Sequence, residues 1–161
     1  MNEILHLHQE ALLVQDLPLA ISFLRLFKSL INTHIEWEES HLLQLHEDLV
    51  DEPQWKTLIY REEHGKIRDL LKEVFVRLNQ TPVTNNRRWT IEILDYERVF
   101  KNVLEHHEER EEKGLLIELD HFLKKHQQDK LITDCHLTLQ HSLDNIEEDL
   151  QQFIQQLPST T

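Results

Sequence analysis

The chain has 161 residues, of which 30 are acidic and 17 basic, giving a formal net charge of −13; this length ordinarily forms one domain with one sizeable core. The negative field repels polyphosphate and no basic stripe offsets it, so nucleic acid is not an expected partner. No segment has the length of a membrane span, and the opening residues lack the basic and apolar regions of a signal peptide, so a cytoplasmic protein without a membrane partner is expected.

Helical periodicity runs through most of the chain, which contains only two glycines and four prolines. A short helix is predicted at about residues 2–15, and Asp16-Leu17-Pro18 ends it. A second helix is predicted from Pro18 to about Leu49, with an inner face of Ala20, Phe23, Phe27, Ile31, His34, Glu38, Leu42 and Leu45. A third begins near Gln54, with Tyr60, His64, Ile67, Leu71, Val74 and Leu78 inward. After a loop at 79–86, a fourth is predicted from about Arg88 to His126, with Ile93, Tyr96, Phe100, Leu104, His107, Glu111, Leu115 and Phe122 inward.

A further helix is predicted at about residues 130–157, where apolar residues are spaced alternately by four and three in an a/d seam. This helix either closes the bundle or pairs two copies of the chain as a homodimer, and the intramolecular alternative is favoured. The expected organisation is all-α, with one helical bundle over residues 1–126 and a C-terminal helix with a frayed tail over residues 127–161.

Histidine is unusually frequent, with 12 in the chain, and four of these fall on the predicted inner faces as part of an internal repeat. Residues 33–43 and 106–116 match at six of eleven positions, including His34 with His107 and Glu38 with Glu111. Each half therefore supplies one inward histidine, His8 or His64, followed by a helix carrying His-x-x-x-Glu. His6 is an alternative to His8, and Glu112 is an alternative to Glu111.

A metal site is the interpretation that this arrangement favours. Residues four apart on a helix lie on one face, so an imidazole and a carboxylate at that spacing can bind one ion or two neighbouring ions. Buried carboxylates are destabilising unless neutralised, and the inner faces offer Glu38 and Glu111 no lysine or arginine. Four imidazoles with two carboxylates and no thiolate favour iron or manganese, and helical bundles are known to hold such pairs of ions. Glu39, Glu63 and Glu112 are expected outside the ligand set, as are the remaining histidines.

The order His, His-x-x-x-Glu, His, His-x-x-x-Glu resembles the hemerythrin-like, cation-binding HHE family over roughly residues 4–119. The most characteristic segments are Leu7-His-Gln-Glu-Ala-Leu-Leu13, Thr33-His-Ile-Glu-Trp-Glu-Glu39, Glu62-Glu-His-Gly-Lys-Ile67 and Leu104-Glu-His-His-Glu-Glu-Arg-Glu-Glu112. The resemblance implies an up-down four-helix bundle that holds two non-haem iron ions. It further implies that His8, His34, His64 and His107 are terminal ligands and that Glu38 and Glu111 bridge the two ions.

Tyr60 departs from the family pattern, because oxygen-carrying hemerythrins have a second histidine at this position, one turn before the ligand of the third helix. Tyr60 has three interpretations: an iron ligand, a hydrogen-bond donor to a bound ligand, or a packing residue. Its presence argues against assuming stable, reversible oxygen carriage.

Three functions are consistent with these residues. The first expectation is a di-iron protein that binds a diatomic ligand, O2 or NO, for oxygen, redox or iron sensing or for protection, rather than an enzyme. The second is an enzyme that turns over peroxide or NO at the same centre. The third is a structural module whose ions hold the bundle together while the C-terminal seam recruits a partner.

Overall fold

The computed structural model of the protein describes residues 2–80 and 87–126. Within those ranges the backbone is all-helical, with four long helical runs and no β-strand. The chain divides into two compact units, Met1–Asp120 and His121–Thr161. The predicted helix at about 130–157 and most of the predicted loop at 79–86 lie outside the described residues. None of the described helices combines the length and the apolarity needed to cross a membrane.

The first two helices, α1 (Asn2–Leu13) and α2 (Leu17–Trp37), are joined by a three-residue turn. Gln15 turns the chain with a left-handed backbone, at a φ of 64°. Asp16 then caps α2, because its carboxylate accepts a first-turn backbone N–H at 3.1 Å and Pro18 stands in that same turn. This short connection keeps the end of α1 beside the start of α2.

Two short π-helical segments interrupt the long helical runs. In chain order, the elements after α2 are a π-helical segment Glu38–Leu42, α3 (Leu43–Leu49), α4 (Thr57–Asn79), α5 (Arg87–Arg110), a second π-helical segment Glu111–Leu115 and α6 (Leu116–His126). Each π-helical segment begins at a glutamate of the repeat, whose carbonyl oxygen accepts the N–H five residues ahead. Such a turn holds one residue more than an α-helical turn.

The extra residue corrects the predicted inner face of the second helical run. Leu43 and His46 are buried where Leu42 and Leu45 were predicted, and those two leucines are half-buried. The reason is that one added residue moves the buried stripe by one position beyond Glu38. His46, which was expected outside the ligand set, is buried, and its Nε2 lies 2.7 Å from Glu118 Oε2.

The main apolar core lies among α1, α2, α4 and α5. Contacts link α1 with α2, α2 with α4, α4 with α5 and α5 with α1. Phe27 of α2 meets Phe100 of α5 edge to face, with ring centroids 5.7 Å apart, and both are fully buried. Truncating either ring to alanine would cost about 3–5 kcal/mol of folding free energy.

A second, smaller apolar cluster contains Leu43, Tyr60, Leu115 and Leu119, with Trp55 packed against it. On each of three helical runs, a buried histidine or glutamate lies between the main core and this cluster. On α4, for example, His64 stands between Ile67 of the core and Tyr60 of the cluster. The fold therefore encloses a band of polar side chains between two apolar regions.

Candidate metal centre

Four buried side chains converge in this polar band: Glu38, His64, His107 and Glu111. Each contributes one atom to a set whose members all lie within 4.8 Å of one another. They come from three helical runs, and all four are buried. Burial of two carboxylates without a lysine or arginine among the four is unfavourable unless another positive charge compensates.

The four donor atoms face a common centre. His64 Nε2 lies 3.2 Å from His107 Nε2 and 3.2 Å from Glu38 Oε2. On the other side, His107 Nε2 lies 3.2 Å from Glu111 Oε1 and 4.0 Å from Glu38 Oε2. Two ligand atoms that share an ion at roughly 2.0–2.2 Å are separated by about 3 Å, so these spacings suit a single small cation.

Two carboxylate oxygens at the centre are buried, and within the described part of the chain neither has a hydrogen-bond partner of acceptable geometry. These atoms are Glu38 Oε2 and Glu111 Oε1. An unsatisfied buried acceptor costs about 1–3 kcal/mol, and more when it is charged. A cation at the centre would satisfy both oxygens at once, so the residues present fit a bound metal.

His34 adds a third imidazole on the outer side of Glu38. Its Nε2 lies 2.8 Å from Glu38 Oε1, and its side chain is 32% exposed. The two oxygens of Glu38 therefore face different imidazoles, His34 on one side and His64 on the other. A carboxylate placed in this way can bind two neighbouring ions.

The pKa values of the two carboxyl groups, Glu38 and Glu111, shift in opposite directions. Burial raises the pKa of Glu38, but the adjacent imidazoles of His34 and His64 outweigh it and bring the pKa down to about 2. Burial raises the pKa of Glu111, and the charge of Glu38 adds to that increase. Burial lowers the pKa of His107, but the adjacent Glu111 carboxylate and the charge of Glu38 raise it overall. Protons therefore compensate the carboxylates when no cation does so.

The structure brings together five of the six predicted ligands, His34, Glu38, His64, His107 and Glu111, but it does not bring His8 to them. His8 is fully buried, with Nδ1 2.7 Å from the Ala20 carbonyl oxygen and Nε2 2.7 Å from Glu97 Oε1. Ala20 precedes His34 by fourteen residues on one helix, which is about 21 Å of axial rise. The short turn between α1 and α2 therefore holds His8 at the far end of the core.

The structure also shows where the two alternative ligands, His6 and Glu112, lie. Glu111 is buried in the cluster and Glu112 is exposed, while His6 is exposed on α1. Glu97, which occupies the buried position beside the predicted Tyr96, pairs with His8 Nε2 through Oε1 and accepts a hydrogen bond from Gln9 through Oε2. Both ring nitrogens of His8 therefore have a hydrogen-bond partner within the apolar core.

Tyr60 is fully buried in the smaller apolar cluster. The rings of Tyr60 and His46 are nearly perpendicular, with centroids 6.4 Å apart. Burial, more than any other influence, raises the pKa of its hydroxyl to about 12. These contacts suit packing, and the buried hydroxyl oxygen has no hydrogen-bond partner of acceptable geometry among the described residues, which leaves it able to donate to a bound ligand.

Sequence reasoning placed Glu39 and Glu63 outside the ligand set without assigning them a partner. Each accepts a hydrogen bond from the Nδ1 atom of one cluster histidine, Glu39 from His64 at 2.9 Å and Glu63 from His107 at 3.2 Å. No pattern in a glutamate-rich sequence distinguishes these two from solvated neighbours. No family model, no curated protein and no solved structure matches the chain.

Proposed function

We propose that this chain is a non-haem iron protein with a hemerythrin-like four-helix bundle, whose His/Glu cluster holds iron and takes up a diatomic ligand, O2 or NO. The observation that carries the proposal is the convergence of two imidazole nitrogens and two unpartnered carboxylate oxygens on one buried point. The closed set of contacts among α1, α2, α4 and α5 supports the bundle.

The donor chemistry supports iron over the alternatives. Three imidazoles and two carboxylates, with no thiolate, suit iron or manganese better than a structural zinc site, which is usually rich in cysteine. The charge also suits a divalent cation, because Glu38 and Glu111 together supply two negative charges. Bound ferrous iron would supply an electron-rich centre with coordination positions open to a small neutral molecule.

Two ions, rather than one, are proposed because the donors fall into two groups that share Glu38. The inner group is Glu38 Oε2, His64, His107 and Glu111, and the outer group begins with Glu38 Oε1 and His34. With His8 bonded elsewhere, five protein side chains remain for two ions. Five ligands, even with both carboxylates shared, leave positions free for an external ligand.

The test is metal loading of the purified protein with ferrous iron in the absence of oxygen, followed by elemental analysis. We expect about two iron ions per chain, and a change in the optical spectrum when O2 or NO is added. His34→Ala should lower the stoichiometry to about one, because it removes only the outer imidazole. Glu111→Gln should abolish tight binding, and Glu112→Gln, one residue away and exposed, is its matched control.

Two outcomes would count against the proposal. One is a wild-type protein that does not retain iron after gel filtration, and the other is a Glu111→Gln variant that retains it as well as the control does. Continued consumption of NO or peroxide beyond the stoichiometry of the iron would replace ligand binding by the enzymatic alternative.

A further inference from the structure

Each buried histidine of the cluster contacts a carboxylate through its Nδ1 atom, and each of these carboxylates also binds an arginine. In the first triad, Glu39 Oε1 accepts from His64 Nδ1 at 2.9 Å and from Arg68 Nη1 at 3.0 Å. In the second triad, Glu63 Oε2 lies 3.2 Å from His107 Nδ1, while Glu63 Oε1 accepts from Arg110 Nη1. The two triads repeat the same order of groups, imidazole, carboxylate and guanidinium.

The partners of each imidazole dictate where its proton sits. An ionised carboxylate can only accept hydrogen bonds, so the Nδ1 atom facing it must carry the hydrogen. A neutral imidazole then has its lone pair on Nε2. In both His64 and His107 this lone pair is directed toward the centre, and the two Nε2 atoms are 3.2 Å apart.

Two lone pairs at that separation repel one another unless a positive charge lies between them. The arrangement is therefore unfavourable as a purely structural packing of two histidines. It becomes favourable when a cation or a shared proton occupies the centre, since both nitrogens can then donate their electron pairs to it.

We propose that Glu39 and Glu63, held by Arg68 and Arg110, are positioning residues that fix His64 and His107 in the metal-binding tautomer before a metal arrives. This inference rests on the proposed metal site and assigns its affinity to groups outside the ligand set. Partners of this kind orient the ligating ring and raise its basicity, and losing one typically weakens metal binding by about 10–100-fold.

The arginines make these carboxylates different from ordinary surface glutamates. Glu39 is 26% exposed and Glu63 is 18% exposed, so each lies partly within the fold between its arginine and its buried imidazole. By contrast, the surface pair Arg88 and Glu92 is 89% and 64% exposed. Because each arginine neutralises the carboxylate that it binds, the triads add orientation without adding net charge to the centre.

The first experiment uses metal-free protein, so that it does not depend on metal binding. Histidine ring nitrogens are assigned by ¹⁵N–¹H NMR at alkaline pH, where imidazoles are neutral, in wild type, Glu39→Ala, Glu63→Ala and the control Glu92→Ala. We expect protonated Nδ1 and bare Nε2 at His64 and His107 in wild type and control. Each triad variant should lose this tautomer at its own histidine only. A wild type with protonated Nε2, or variants that leave the tautomer unchanged, would overturn the inference.

The second experiment measures Zn²⁺ affinity by chelator competition on the same proteins. Each alanine variant should bind about 10–100-fold more weakly than wild type, with Glu92→Ala unchanged. Glu39→Gln keeps an acceptor oxygen but no charge, so it should retain the tautomer and lose less affinity; it also carries the test if Glu39→Ala does not fold. Unchanged affinity in all triad variants would contradict the inference. A wild type that binds no metal would refute the proposed function, while the tautomer result would still decide whether the triads act as stated.

Discussion

Gly114, in the second π-helical segment, should not tolerate even a single added methyl group without cost. A Cβ atom built on Gly114 would lie 2.6 Å from Trp55 Cζ3, in contact with Cε3 of the same ring, and 3.0 Å from the Tyr60 hydroxyl oxygen. Real Cβ atoms essentially never approach so closely, so Trp55 would have to move. Since Arg110 lies over the Trp55 ring, 5.6 Å from its centroid, that movement would extend toward the second triad.

The expected magnitude follows from two opposing contributions. Replacing a helical glycine by alanine gains about 0.5–1 kcal/mol, because the unfolded chain loses conformational freedom. Overpacking of a tight site costs about 1–3 kcal/mol. Gly114→Ala should therefore lower the free energy of unfolding by about 0–2.5 kcal/mol.

Gly65 provides a matched control within α4. No side chain of the described residues would lie within 4 Å of a Cβ added there, so Gly65→Ala should stabilise the protein by about 0.5–1 kcal/mol. The two variants make the same chemical change in helical backbone and differ in the space available. Their difference, about 1–3 kcal/mol, isolates the contact with Trp55.

The assay is urea denaturation of the metal-free protein, followed by far-ultraviolet circular dichroism. Both substitutions should be repeated in a Trp55→Ala background, where the penalty at Gly114 should shrink by most of its value because the obstructing ring is gone. Gly114→Ala as stable as Gly65→Ala, or an equal penalty with and without Trp55, would refute the reasoning.

Three further outcomes are expected. His8→Ala should cost about 3–5 kcal/mol of folding free energy, because it leaves Glu97 buried without its imidazole partner. Metal affinity, measured by chelator competition, should not change, because His8 lies about 21 Å along the helix axis from His34. A folded variant with weakened affinity would contradict the placement of His8. Glu111→Gln should raise the melting temperature of the metal-free protein, because it removes a carboxylate charge that burial and the charge of Glu38 disfavour. The same substitution should abolish metal binding. A lower melting temperature would argue against the repulsion between the two carboxylates. The fold raises the pKa of His107 above 6.5, so the proton on His107 stabilises the metal-free protein fully below pH 6.5 and less as pH rises through the folded pKa. Stabilisation by Zn²⁺ should instead grow over the same pH window, because the imidazole must lose its proton to bind the ion. If the melting temperature of the metal-free protein and the increase caused by Zn²⁺ changed with pH in the same direction, this reasoning would be wrong.

The helical runs and the inward position of most cluster residues could be predicted because a period of 3.6 residues specifies which side of a helix is buried. The same period does not specify how far along its axis a residue stands relative to other helices. His8 shows the difference. It occupies an inner face, as predicted, but the length of α1 and the turn at Gln15 place it at another level from His34.

The π-helical segments escaped prediction for a related reason. Leu42 and Leu43 are adjacent and chemically identical, so shifting the stripe by one residue leaves the apolar pattern nearly unchanged, and in the second segment Leu115 is buried as predicted. The carboxylates behind the histidines are similarly hidden. Glu39 and Glu63 differ from many exposed glutamates only in their partners, which belong to other parts of the chain.

The two π-helical segments also bear on how the chain would respond to a change in length. Since each wide turn contains one surplus residue, deleting exposed Ser40 would restore an ordinary α-helix and keep Leu43 and His46 in register with the core. Downstream packing therefore does not require the surplus residue. Because the irregularity begins at the two glutamates whose oxygens face the centre, we expect the deletion to alter the position of the Glu38 carboxylate rather than the register of the helix.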